Sequence, residues 1–224
     1  MDSPTGEIKL YFDILPKETK IALDFLATQD WLKETDWYLA GGTALALNVG
    51  HRNSVDLDFF IQHSTFDNIE IIDRLSQNKE LSVDLSKDRT IFAKLFGAKI
   101  SFIAYPFFLP KQNFVQYGAV KILNPKDIAV MKIVAVSQRG RKRDFFDLYW
   151  CANNLEPLEE TIKKLPTQYP SVAHDYHHIL KSMIYFEDAE NDQDPIIFFL
   201  ASWEEVKEFF KKEIPVITKK LIGI

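Results

Sequence analysis

The segment Val55-Asp-Leu-Asp-Phe-Phe-Ile61 constrains the fold more than any other stretch of the chain. Its apolar and acidic residues alternate at first with period two, the period of a β-strand. On a strand Asp56 and Asp58 leave the same face, while Leu57 and Phe59 point the other way, into a core. Two adjacent carboxylates repel each other unless a cation sits between them. Hard divalent ions such as Mg²⁺ take oxygen ligands of this kind together with substrate phosphates. Taken alone, an Asp-x-Asp pair reads first as the solvated face of a half-exposed strand.

What precedes it changes that reading. Trp37–Leu39 is a short apolar strand candidate that stops at Gly41-Gly42-Thr43. Ala44–Leu47 then reads as a short helix, and Gly50–Asn53 as a turn. Glycines at a strand-to-helix turn let the backbone approach a ligand closely. The free N–H groups of the helix start favour phosphate oxygens, and the Thr43 hydroxyl could add another hydrogen bond. Thr43 lies 13 residues before Asp56. Strand, glycine turn, short helix, second turn and carboxylate strand thus make one unit, in which triphosphate and metal could meet on one face.

A second cluster falls in Lys132-Ile-Val-Ala-Val-Ser-Gln-Arg139-Gly-Arg141-Lys142-Arg143-Asp144-Phe-Phe-Asp147. Asp144 and Asp147 are three apart and share a helix face. Arg139, Arg141, Lys142 and Arg143 are a dense positive cluster that can neutralise phosphates or a departing pyrophosphate. The bland reading is a basic solvated loop, with the two acids stabilising a first helical turn.

The stretch AGGTALALNVGHRNSVDLDFF resembles the AbiEii-type nucleotidyltransferase family, which includes toxins of bacterial toxin–antitoxin systems and belongs to the DNA polymerase β-like superfamily. Gly42-Thr43 followed by Asp56-Leu57-Asp58 fits the superfamily's first motif. Lys132, Arg139, Arg143, Asp144 and Asp147 fit the second. The resemblance covers roughly residues 36 to 153. It implies an α+β fold, a mixed sheet flanked by helices, followed by a C-terminal helical lobe. It also implies metal-dependent transfer of a nucleoside monophosphate from an NTP to an acceptor hydroxyl, on RNA (the 3′ end of tRNA) or on protein. Asp56 and Asp58 would hold one or two Mg²⁺ ions. Gly41, Gly42 and Thr43 would cradle phosphates, with Arg52, Arg143 and Asp147 beside them. Lys132 and Asp144 would bind nucleotide or organise the site. A cognate antitoxin or a role in phage defence follows from the same likeness. A third carboxylate, usual in the superfamily, is expected on the strand AKISFIA, where Ser101 stands instead; Asp84 could serve if its strand neighbours VDLDFF. That gap keeps a catalytically silent nucleotide- or RNA-binding module, or a purely protein-binding partner, open as alternatives.

The rest of the chain frames this site. At 224 residues it allows one domain or two small lobes sharing a core. A content of 46% apolar and 26% charged residues excludes disorder as the main state. Thirty-two acids against 27 bases, net −5, argue against a wholly basic nucleic-acid coat but not against a local patch. A single cysteine, Cys151, permits no internal disulfide and suits a reducing cytoplasm. No apolar run approaches the length of a membrane span, and MDSPTGEIKLYFD lacks a basic-then-apolar leader.

Leu81–Leu85, Thr90–Phe96 and Ala98–Ala104 read as strands, and a shorter extended pair fits Phe114–Ile122. Helices follow Pro16, Asn124-Pro125 and Lys142, then fit Leu158–Leu165, Val172–Phe186 and the capping box Ser202-Trp-Glu-Glu205. The expected division is a nucleotidyltransferase-like unit over 1–115 and a helical lobe over 116–224.

Three further signals carry little. His174, His177 and His178 could bring two imidazoles to one metal, but no matching third ligand accompanies them. The acidic run Glu187–Asp194 reads as a solvated loop. Phe107-Phe108 and Phe198-Phe199 read as core or lobe interface.

Overall fold

The computed structural model describes residues 9–77 and 80–223; the first eight residues of MDSPTGEIKLYFD, the stretch that lacks a leader pattern, lie outside them. After a 3₁₀ turn at Phe12–Ile14 come α1 (Lys17–Ala27), introduced by Pro16, and a single turn, α2 (Asp30–Lys33). Strand β1 (Tyr38–Ala40) runs directly into α3 (Gly41–Val49), then β2 (Leu57–Ile61) and α4 (Asn68–Ser76). The meander β3 (Leu81–Lys87), β4 (Thr90–Leu95) and β5 (Ala98–Ala104) follows, then the hairpin β6 (Val115–Tyr117) and β7 (Val120–Ile122). The remainder is helical: α5 (Pro125–Arg139), α6 (Lys142–Asn154), α7 (Leu158–Lys163), α8 (Leu165–Gln168), α9 (Tyr176–Ser182), α10 (Glu187–Glu190) and α11 (Trp203–Ile222).

The seven strands form one mixed sheet in the order β3-β4-β5-β2-β1-β7-β6. Strand β2 lies at its centre, antiparallel to β1 and parallel to β5, with Asp58 level with Ala40 on one side and Ser101 on the other. The alternation read in the sequence sets which face is dry. Leu57, Phe59 and Ile61 are buried, and Phe59 stacks on Phe102 at 5.0 Å. Trp37 meets the Phe102 ring edge-on from the same layer. The opposite face carries Asp58 and Phe60 and looks toward α5.

Two helical expectations are corrected. The helix expected over Val172–Phe186 starts only at Tyr176, because the Asp175 carboxylate accepts the His178 N–H at 3.0 Å and caps it there. The helix expected over Leu158–Leu165 stops at Lys163 and restarts as α8, since Pro166 has no N–H to continue the ladder. The hairpin β6–β7 begins at residue 115 and joins the sheet through the pairing of β7 with β1, so the sheet runs on to Ile122.

Candidate active site

Helix α3 begins at Gly41 itself, three residues earlier than Ala44. Gly41 has φ +71°, and a Cβ there would sit 3.0 Å from Asp58 Oδ2. A side chain at that point would be strained in the backbone and pressed on the carboxylate, so glycine alone lets α3 start against Asp58. The first N–H groups of the helix have no intrahelical partner, and Ala40 supplies no side-chain cap. At Gly42 an added Cβ would fall 2.4 Å from Arg52 Nη2.

Thr43 does not present its hydroxyl to the cleft. It is buried, hydrogen-bonds the main-chain oxygen of Asp56 and lies 2.8 Å from the Ser54 hydroxyl. Its job is to hold the segment before β2 against α3, which fixes where Asp56 projects. Asp56 Oδ1 is shielded from solvent and has no hydrogen-bond partner among the described residues, while Oδ2 is 3.8 Å from Arg143 Nη1. Asp58 Oδ1 accepts a 2.7 Å hydrogen bond from Ser101. Burial, and after it the neighbouring Asp56, push the Asp58 carboxyl above its ordinary pKa; the Ser101 bond opposes them. Two crowded carboxylates, one with an orphaned oxygen, fit a hard cation between them.

Behind them lies a second charge layer. Asp147 is fully buried on α6. Its Oδ1 takes Arg52 Nε at 2.6 Å and His51 Nε2 at 2.7 Å; its Oδ2 takes Arg52 Nη2 at 2.9 Å and Lys132 Nζ at 2.6 Å. Burial alone would raise this carboxyl, but Arg52 and Lys132 outweigh it and hold it well below the usual range. Lys132 also donates to Asp144 Oδ1 at 2.5 Å, and Arg139 Nε reaches Asp144 Oδ2 at 3.1 Å. Asp144, too, is pushed up by burial and brought below its ordinary value by Lys132 and Arg139. Asp147 therefore has no oxygen left for a ligand. It positions Arg52 and Lys132, which line the cleft.

These groups surround a cleft of about 430 Å³ between the sheet and α5, reached by Gly41, Gly42, Asp56, Asp58, Lys132 and Arg143. The basic cluster divides. Arg139 and Arg143 face the cleft, whereas Arg141 and Lys142 turn away. Arg141 pairs with Asp192 at 2.7 Å and Lys142 with Asp194 at 2.9 Å. The acidic run expected to be a solvated loop is thus a counter-charge for half the cluster.

Asp84 is not on a strand beside β2: β4 and β5 stand between them. It occupies a β-bulge in β3 and lines a smaller hollow of about 250 Å³ with Asp56 and Asp58. His51 was not singled out by the sequence, and a histidine after a turn glycine gives no signal of its buried bond to Asp147. No cluster of three metal-ligating side chains occurs among the described residues, and the three C-terminal histidines separate. His174 and His178 instead meet the main-chain oxygens of Tyr169 and Ser137. Phe107 and Phe198 are exposed, while Phe108 is in the core.

A mixed sheet with an Asp-x-Asp strand beside a glycine-opened helix, facing a helical lobe that brings Lys132 to the same cleft, defines the nucleotidyltransferase fold. The solved structures agree. JHP933 from Helicobacter pylori superposes with a TM-score of 0.55 over 93% of this chain and 95% of its own, at 20% identity. MenT4, a nucleotidyltransferase toxin from Mycobacterium tuberculosis H37Rv, superposes at 0.54 over 91% and 86%, at 15% identity. The family model "Nucleotidyl transferase AbiEii toxin, Type IV TA system" matches residues 24–109 and 106–216, and the chain belongs to that family. An uncharacterized protein of Aquifex aeolicus (strain VF5), aq_aa25, is 42% identical over 194 residues, 80% of this chain and 86% of its own. No helix among the described residues is long and apolar enough to cross a membrane.

Proposed function

We infer that the protein transfers a nucleoside monophosphate from an NTP to an acceptor hydroxyl. The observation that carries this is the Asp56–Asp58 pair. One oxygen is orphaned and one carboxyl is raised by burial, and both face the open start of α3 within a single cleft. Asp56 and Asp58 would hold one or two Mg²⁺ ions, which when bound neutralise the triphosphate and polarise the attacking oxygen.

The chain's own residues do the remainder. The free N–H groups of Gly41 and Gly42 donate to outer phosphate oxygens. Arg143, half-exposed and only loosely paired at 3.8 Å, swings to the phosphates. Lys132 and Arg139 add fixed positive charge where pyrophosphate departs, and Asp144 and Asp147 keep them oriented. The acceptor oxygen bonds to the α-phosphorus and the bond to the β-phosphate breaks. Pyrophosphate leaves with its electron pair, and the hydroxyl proton passes to water. The setting is the cytoplasm, as one arm of a toxin–antitoxin or phage-defence pair.

Labelled NTPs incubated with the protein, Mg²⁺ and total RNA test this directly. Label should enter RNA with the parent chain and vanish with Asp56→Asn/Asp58→Asn. Equal labelling by the double variant sinks the assignment. Ser101 opposite Asp58, where the superfamily places an acid, favours a second reading as a silent nucleotide-binding module. NTP binding by calorimetry with no transfer to RNA or protein would select it.

A further inference from the structure

The segment between α10 and α11 lies on the surface with an alternation that the core does not require. Ile197 bridges Arg52 antiparallel. Asn53 N–H donates to the Ile196 main-chain oxygen at 2.9 Å, and Phe198 N–H to that of His51 at 2.8 Å. Ile197 and Phe199 pack inward, with the Phe199 ring stacked on Tyr149 at 6.2 Å and on His51 at 6.5 Å. Ile196 and Phe198 turn outward, 64% and 57% exposed, and Leu200 after them is fully exposed. Single exposed apolar side chains are ordinary. Three in one alternating row, pinned by main-chain bonds to His51 and Asn53, make a patch that adds nothing to the core.

The rim of this row is acidic. From Glu187 to Glu208 the sequence holds eight acids and one cation, Lys207. Arg141 and Lys142 reach the same surface from α6, through Asp192 and Asp194, and bring the cations to three. Two of those three are sunk. The side chains of Lys142 and Lys207 are 7% and 13% exposed, whereas their partners Asp194 and Glu204 stand 73% and 75% exposed. Both ammonium groups lie against the Trp203 ring, 5.4 and 5.6 Å from its centroid. A visiting surface therefore meets acids first. Asp194 stands two residues before Ile196 and Glu204 four residues after Leu200, with the apolar row between them.

We propose that this row is a docking site for a protein partner, and that its occupant is a basic segment with alternate apolar side chains. Those side chains seat against Ile196, Phe198 and Leu200, and its lysines or arginines meet the acidic rim. Charge complementarity selects this occupant over others. A second copy of the chain would set acid against acid. Nucleic acid and anionic lipid headgroups are repelled by the same rim. A cationic segment gains from both parts, apolar burial in the row and opposite charge at its edges. The row is already held in place on the His51–Asn53 turn, so docking costs little ordering on this side. The inference stands whether or not the chain transfers nucleotide.

Three fluorescein-labelled peptides of equal length test this by anisotropy with the full chain: alternating Lys-Leu, alternating Lys-Ser and alternating Glu-Leu. The Lys-Leu peptide should bind about tenfold more tightly than Lys-Ser, with an affinity that falls as salt is added, and Glu-Leu should not bind. Ile196→Ser/Phe198→Ser/Leu200→Ser should weaken Lys-Leu binding about tenfold. Its melting temperature should stay within about 2 °C of the parent, because the three side chains face solvent. On the parent chain the Lys-Leu peptide should slow amide hydrogen exchange over residues 194–202, which reads the site without any substitution. Equal binding of Lys-Leu and Lys-Ser, or parent-like binding by the triple serine variant, would overturn the row as the anchor. So would protection confined to the catalytic cleft. A parent chain that is dimeric by light scattering and monomeric as the triple serine variant would show that a second copy covers the row, and would overturn the basic partner.

Discussion

At the scale of single residues the site is a balance of four carboxylates against four cations, and each change tips it in a direction that can be read in advance. Asp56→Asn removes one of two crowded charges that share no partner, so it should raise the melting temperature while abolishing transfer. Thermal melts and labelled-NTP assays on the same preparation check both halves. Asp147→Asn does the reverse. It strips a counter-charge from buried Arg52 and Lys132 and should cost about 3–5 kcal/mol in urea unfolding. His51 gives a pH signature. Burial pushes its pKa below 6.5, so the unfolded chain binds its proton more readily than the folded one. Its contribution is complete above pH 6.5 and is lost as pH falls below it; the Asp147 contribution goes only in the acid range below 3.8. Comparing melting temperature against pH for the parent and His51→Gln isolates the first step, which the variant should lack.

At the scale of elements, what could be read ahead is what local chemistry decides. Asn124-Pro125 announces α5, and Asn124 does cap it by accepting the Lys126 N–H. Ser202-Trp-Glu-Glu205 announces α11, and its capping box forms in both directions. Ser202→Ala should therefore cost about 1 kcal/mol, seen as a lower urea midpoint with an unchanged slope. Strand β5 falls where Gly97 and the apolar pattern placed it. What could not be read depends on residues far apart. Nothing near Asp58 says that β5 will lie parallel beside it. Nothing near Lys142 says that Asp194 will neutralise it 52 positions later. The start of α3 escaped for a different reason: Gly-Gly reads as a turn, and only contact with Asp58 explains a helix that opens on a glycine at positive φ.

At the scale of the whole molecule, the two halves of the site are halves of one packed body. Asp56, Asp58 and the α3 start come from the sheet region; Lys132, Asp144 and Asp147 come from helices beyond residue 122. They are joined at two levels. Arg52 and His51 reach across to Asp147, and Asp127 at the start of α5 accepts the N–H groups of Lys111 and Gln112 together with Gln168 Nε2. One apolar cluster runs from Ile14 through the sheet to Ile217 on α11. A division at residue 115 would also split the hairpin whose second strand pairs with β1. Cutting there would expose the α5 contact face and part buried Arg52 and His51 from Asp147, while Lys132 would keep Asp144 and Asp147. The full chain should therefore unfold in one transition, with calorimetric and van't Hoff enthalpies equal. Fragments 1–122 and 123–224, expressed separately, should each lack near-ultraviolet dichroism. Two resolved transitions, or a folded 1–122 fragment, would mean that the carboxylate half holds its shape without the helices, and that the cleft is a joint between independent bodies.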